Sequence, residues 1–190
     1  FSQTYKFTPE MFAAWCDIAH RIPGSVLWLL EDNEWARRNL QAGWEGAGLD
    51  AARLVFAPRV EPARYRARMA LADLFLDTHP CNAGAVASEA LRMGLPIVTL
   101  SGEALAARMC GGLLNAIGLG DNVTTSLPAY VERAVAIGTR PSLREALRAR
   151  LAGGTWRRSL GDVEGFTRRL EDAYRTALAQ IPPDRKALGG

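Results

Sequence analysis

Short apolar runs alternate with amphipathic stretches along most of this chain, and that alternation constrains its fold more than any other feature. The runs are Ser25–Leu30 (SVLWLL), Arg53–Ala57 (RLVFA), Asp73–Asp77 (DLFLD) and Pro96–Leu100 (PIVTL). Each is too short for a helix and too continuous for a strand with a wet face, as expected of parallel strands buried on both sides. Between them lie helical patterns. Thr8-Pro9-Glu10 reads as an N-cap with proline in the first turn, followed by Met11, Phe12, Trp15 and Ile18 at helical spacing. Residues 33–48, 62–72, 85–93 and 103–117 follow the same plan, the first and last of them closing on glycine. Strand and helix in strict alternation predict a Rossmann-like α/β domain, a parallel sheet with helices on both faces. From Leu127 the pattern turns purely helical, over 127–138, 141–153 and 163–180. The predicted organisation is therefore an α/β domain over 1–126, a helical extension packed on it over 127–180, and a loose tail over 181–190.

One feature of that plan is irregular. A doubly wound sheet opens with a strand that leads into its first helix, yet only Phe1 and Ser2 precede the approach to Pro9. The expectation is a fragment, cut within or just after that strand.

Composition narrows the function. The 190 residues are 48% hydrophobic and 23% charged, which predicts a buried core. The net charge of +3 is spread along the chain, so no basic stripe points to nucleic acid. No apolar run approaches the ~18 residues of a membrane span, and no signal peptide is evident, so a cytoplasmic setting is expected. Cys16, Cys81 and Cys110 are far apart and only two histidines occur, His20 and His79, which argues against disulfides and against a metal site. No G-x-G-x-x-G, phosphate-binding P-loop or G-x-S-x-G elbow follows a strand.

In open parallel sheets, ligands bind beyond the carboxyl ends of the strands. The segment DLFLDTHPCNAGAVASEALRMG, Asp73–Gly94, places a polar loop and then a small-residue helix start at one such end. Two readings stand side by side. The exposed amides and positive dipole end near Gly84, Ala85 and Val86 suit a diphosphate, or the small residues serve only to pack the helix on the sheet.

Those residues carry a resemblance. DLFLDTHPCNAG followed by EALRMGLPIVTLSGEALAAR resembles the signature region of the O-linked N-acetylglucosamine transferase (SPINDLY-type) family. Gln3-Thr4-Tyr5-Lys6, the Pro23–Leu30 strand and Arg53–Phe56 match in order and spacing, and the likeness runs to about Ala136. The resemblance implies the carboxyl-terminal, donor-binding lobe of a two-lobed GT-B glycosyltransferase, here of a bacterial member. It implies an inverting enzyme without a metal or other cofactor, which moves N-acetylglucosamine from a UDP-sugar to Ser or Thr of a protein. The acceptor would be held by a separate amino-terminal lobe with tetratricopeptide repeats. By the same likeness Gln3 and Lys6 contact the donor phosphates, with Lys6 as the catalytic cation. Val60 offers backbone to the base, Tyr65 stacks on it and Arg68 contacts it. Cys81 faces the sugar, Ala85 and Val86 meet the diphosphate, and Glu89 stands where the family's Asp holds the ribose.

The chain also departs from the family. Gly84-Ala85-Val86 replaces His-Thr-Thr, removing two hydroxyls whose bonds to a charged group are worth roughly 1.5–3 kcal/mol each. Pro62 replaces a Lys. These losses support an alternative, a non-catalytic nucleotide-binding or interaction remnant. The remaining singular residues receive structural readings: His79 solvated in its loop, His20 at a helix end, the five tryptophans in core or lobe packing, and Arg108 in an ion pair.

Overall fold

The computed structural model describes residues 2–180. A short 3-10 turn, Thr4–Lys6, leads into α1 (Pro9–Arg21), where the Thr8 hydroxyl accepts from the Met11 amide at 3.3 Å. Met11, Ala14, Trp15, Ile18 and Ala19 form the buried stripe of α1, which packs against α6 (Leu127–Thr139). β1 (Leu27–Leu30) follows, then α2 (Glu34–Gly46), capped by Asn33 Oδ1 at 2.8 Å from the Ala36 amide. β2 (Leu54–Ala57) runs parallel to β1, with Leu27 opposite Leu54 and Leu30 opposite Ala57. Arg53 braces the amino-terminal end of this pair by donating to the carbonyls of Ala19, Ile22 and Ser25 at 2.7–3.1 Å.

The second half holds α3 (Pro62–Met69), β3 (Phe75–Leu76), α4 (Ala85–Arg92), β4 (Ile97–Leu100), α5 (Met109–Ala116) and β5 (Val123–Thr124). β4 lies between β3 and β5, all parallel, and every residue of β4 is buried. α4, α5 and α6 pack on it. Parallel strands sandwiched by helices are the expected fold, among the described residues in two sheets: β1 with β2, and β3 with β4 and β5. The sequence did not announce β5, because Val123 is the one apolar residue in the stretch Asp121–Thr125, too little for an apolar run. The helix expected over 103–117 begins late, because the chain at Ala104 is extended, and it is divided at Arg108 into a 3-10 turn, Leu105–Ala107, and α5.

From Leu127 onward the described chain is helical, as α6, α7 (Pro141–Ala152), α8 (Thr155–Arg158) and α9 (Val163–Ala179). α6 and α7 bury Tyr130, Val131, Ala134, Ile137, Leu147 and Leu151. α8, which no sequence pattern marked, packs Trp156 near α4, where its indole N–H reaches the Ser88 hydroxyl at 3.3 Å. α9 buries none of its residues. The expected tail, 181–190, lies outside the described residues.

Candidate functional site

Buried polar groups fix the loop at the carboxyl end of β3. Asp77 closes β3 and is fully buried. Its Oδ1 accepts from the Ala83 amide at 2.8 Å and its Oδ2 from the Thr99 hydroxyl at 2.7 Å. Burial raises its pKa, against the pull of these hydrogen bonds. The Asp77 carbonyl accepts from the Tyr130 hydroxyl at 3.0 Å, and that oxygen accepts from the Trp15 indole at 3.1 Å. One chain of bonds thus joins α1, α6 and the end of β3. Inside the loop, the Thr78 hydroxyl donates to the Cys81 carbonyl at 2.6 Å, and Asn82 Nδ2 donates to the carbonyls of Thr78 and Leu100 at 2.7 and 3.2 Å. Residues 78–83 are therefore held before α4 begins.

α4 opens at Gly84 with no side chain capping it, so its first amides lack intrahelical partners. Ala85 is exposed and Val86 half-buried. The Lys6 ammonium donates to the Asn82 carbonyl at 3.1 Å, which brings a cation from the amino-terminal turn to the loop that feeds this helix start. Gln3 precedes that turn and accepts the Lys6 amide on its carbonyl at 3.1 Å; its side chain caps nothing. Asp32 ties the turn down. Its carboxylate accepts from the Thr4 hydroxyl at 2.7 Å and pairs with Arg59 at 2.7 Å. The Thr4 hydroxyl first, and Arg59 second, hold the Asp32 carboxyl below its ordinary pKa.

One turn along α4 is a second group. Glu89 is half-buried, and its Oε2 is buried with no hydrogen-bond partner. Burial, and then the charge of Glu89, push the Tyr65 phenol up to about 12. Arg68 donates to the Pro58 carbonyl at 2.6 Å, so it braces the loop that carries Val60. α4 therefore links two clusters: Lys6, Cys81 and Asn82 at its start, and Tyr65 with Glu89 a turn later. A carboxylate oxygen buried without a donor is costly unless something supplies one, and vicinal hydroxyls of a ribose are suitable donors.

Some readings change. His79 is half-buried rather than solvated, with Nδ1 3.2 Å from the Leu100 carbonyl. Arg108 has no carboxylate within ion-pair distance among the described residues. Trp35 is exposed, whereas Trp15 and Trp44 are core. Asp32, Asp77, Asn82, Thr99 and Tyr130 hold the site together and had drawn no separate notice in the sequence. Only the placement of Asp77 and Asn82 in the signature stretch offered a signal. Among the described residues no three His, Cys, Asp or Glu side chains are grouped to hold a metal ion, and no helix is long and apolar enough to cross a membrane.

The comparisons with known proteins agree on one family. The model of glycosyl transferase family 41 matches residues 1–170. An Arabidopsis thaliana protein described as a probable UDP-N-acetylglucosamine--peptide N-acetylglucosaminyltransferase SEC is 31% identical over 175 residues, covering 92% of this chain and 18% of the relative. A Caenorhabditis elegans UDP-N-acetylglucosamine--peptide N-acetylglucosaminyltransferase is 31% identical over 172 residues, covering 90% of this chain and 15% of its own. Among solved structures, a mutant of the Thermobaculum terrenum O-GlcNAc transferase superposes with a TM-score of 0.86 at 30% identity, over 93% of this chain and 34% of that one. The chain thus spans less than a fifth of the length of these curated relatives. This chain therefore belongs to glycosyl transferase family 41.

Proposed function

We propose that this chain is the donor-binding lobe of an inverting glycosyltransferase, binding a UDP-sugar, with N-acetylglucosamine as the sugar passed to Ser or Thr of a protein. The observation that carries the reading is the Lys6 ammonium, 3.1 Å from the Asn82 carbonyl, beside the uncapped start of α4. A diphosphate against the Ala85 and Val86 amides meets both a helix dipole and a cation. As the anomeric carbon–oxygen bond breaks, negative charge grows on the leaving diphosphate, and Lys6 stabilises that charge where it develops. Gln3 supports the same phosphates. Glu89 accepts from the ribose hydroxyls, Tyr65 stacks on the base, and Arg68 holds the loop from which Val60 offers its backbone. Cys81 faces the sugar. The chemistry needs no metal, because Lys6 and the amides perform the charge stabilisation. The acceptor protein is held by an amino-terminal lobe with tetratricopeptide repeats, so this chain alone binds nucleotide and transfers no sugar.

Calorimetric titration of the chain with UDP tests the reading. Saturable binding that weakens at least about tenfold in Lys6→Ala supports it, since a hydrogen bond to a charged group is worth roughly 1.5–3 kcal/mol. Binding indifferent to Lys6 overturns it.

A second reading, a nucleotide-binding or interaction remnant without catalysis, has one observation in its favour. Gly84-Ala85-Val86 presents no hydroxyl, and the Met109 methyl lies 2.6 Å from where a Cβ on Gly84 would stand. UDP binding without sugar transfer, measured once the chain is joined to an amino-terminal lobe, selects this reading.

A further inference from the structure

The start of α4 has an apolar neighbour from another element. Met109, the first residue of α5, lays its methyl 2.6 Å from where a Cβ on Gly84 would stand, and its Sδ is 3.8 Å from the same point. Its side chain thus covers bare backbone where α4 opens. Met109 is nonetheless 45% exposed, so part of the thioether is open to a ligand.

The backbone of Met109 is fixed from both sides. Ahead of it, the Asn82 amide donates to the Ala106 carbonyl at 2.9 Å and the Gly102 amide to the Ala107 carbonyl at 2.9 Å, which fastens this turn to the site loop. After it, Cys110 is fully buried, and Gly111 packs so closely on β5 that a Cβ there would lie 3.2 Å from Val123 Cγ1. A fastened backbone therefore holds a flexible, polarizable side chain at the edge of the site.

The order of groups along α4 decides which part of a donor reaches it. A nucleotide sugar is linear: base, ribose, diphosphate, sugar. With the base at Tyr65, the ribose at Glu89 and the diphosphate at the Ala85 and Val86 amides, an extended donor runs toward the amino-terminal end of α4, and its sugar passes Gly84. The side chain that stands there is Met109. A larger residue at Gly84 would fill that space, and glycine leaves it to the thioether. Sugar hydroxyls lose water against such a group without gaining a hydrogen bond, whereas apolar atoms gain by burial. The acetamido methyl is the apolar group that distinguishes N-acetylglucosamine from glucose.

We propose that Met109 is a specificity-determining residue of the donor site, its methyl packing on the acetamido methyl of an N-acetylhexosamine. The proposal rests on the donor-binding reading, and its test separates the two.

The full chain and its Met109→Leu, Met109→Ala and Met109→Gln variants are titrated calorimetrically with UDP, UDP-N-acetylglucosamine and UDP-glucose. Met109→Ala and Met109→Gln are each expected to weaken UDP-N-acetylglucosamine about fourfold, the worth of one buried methylene, and to change UDP and UDP-glucose by less than about twofold. Met109→Leu keeps an apolar end and should retain the preference of the parent. Glutamine is close to methionine in length, so a residue that only plugs the space over Gly84 would tolerate it without loss of the preference. Because Met109 is partly exposed, none of these variants opens the core, and melting of each preparation checks this. Equal shifts with all three ligands, or no shift, overturn the assignment of Met109 and leave the donor-binding reading standing. So does a loss with UDP-glucose as large as that with UDP-N-acetylglucosamine. Absence of UDP binding by the parent chain overturns the donor-binding reading, and the role of Met109 with it.

Discussion

Single side chains at this site are set by burial and by what they can donate or accept. Lys6 is held by one carbonyl bond in a half-buried setting, so truncating it removes charge without opening the core. Circular dichroism of Lys6→Ala should match that of the parent while UDP affinity falls. Glu89 differs, because its buried Oε2 lacks a donor. Glu89→Gln is expected to weaken UDP binding several-fold while leaving the melting point unchanged or slightly raised, since an uncompensated charge is removed. Melting and titration of the same preparation check both parts. Asp32 supplies the pH dependence. Its folded pKa is lowered, so its contribution is present above the unfolded value of about 3.9 and is lost as pH falls through the folded value. Asp32→Asn should therefore flatten the loss of stability on acidification below about pH 4, measured by thermal melting across a pH series. The Asp32 carboxylate is only partly buried, so the step is small.

Elements here are stabilised by the loops that join them as much as by their own pairing. β3 has two residues and α4 eight, and the turn between them is fastened by Asp77. Asp77→Ala leaves the buried Ala83 amide and Thr99 hydroxyl without their acceptor. An expected cost of about 1–3 kcal/mol for each orphaned group is readable by urea unfolding. UDP binding should weaken as well, because residues 78–83 position the start of α4. Much of this layer was legible beforehand. The cap Thr8, the strands β1 to β4 within their apolar runs and the helix opening at Ala85 all carried local signals. β5 and α8 did not: around β5 the residues Asp121–Thr125 hold one apolar side chain, Val123, whereas the equally short β3 lies in an apolar run, and α8 has only four residues.

At the scale of the whole molecule, the Trp15–Tyr130–Asp77 chain of hydrogen bonds couples the first helix to the helical extension and to the site loop. Tyr130 is fully buried, so Tyr130→Phe should destabilise the protein by roughly 1–3 kcal/mol while raising the exchange rate of amides in residues 78–84. α9 makes the contrary case. It buries no residue, so ending the chain before Val163 should shift the melting point by no more than a few degrees. The sequence by itself determined the α/β alternation, the principal helix ends and the polar loop that leads into the small-residue start of α4, because periodicity, caps and turn residues act over a few neighbours. Tertiary structure alone decided that the Lys6 ammonium reaches the Asn82 carbonyl, 76 residues on, and that Tyr130 bonds to Asp77. Contacts between distant segments depend on how whole layers pack, and no local pattern encodes which buried donor will meet which acceptor.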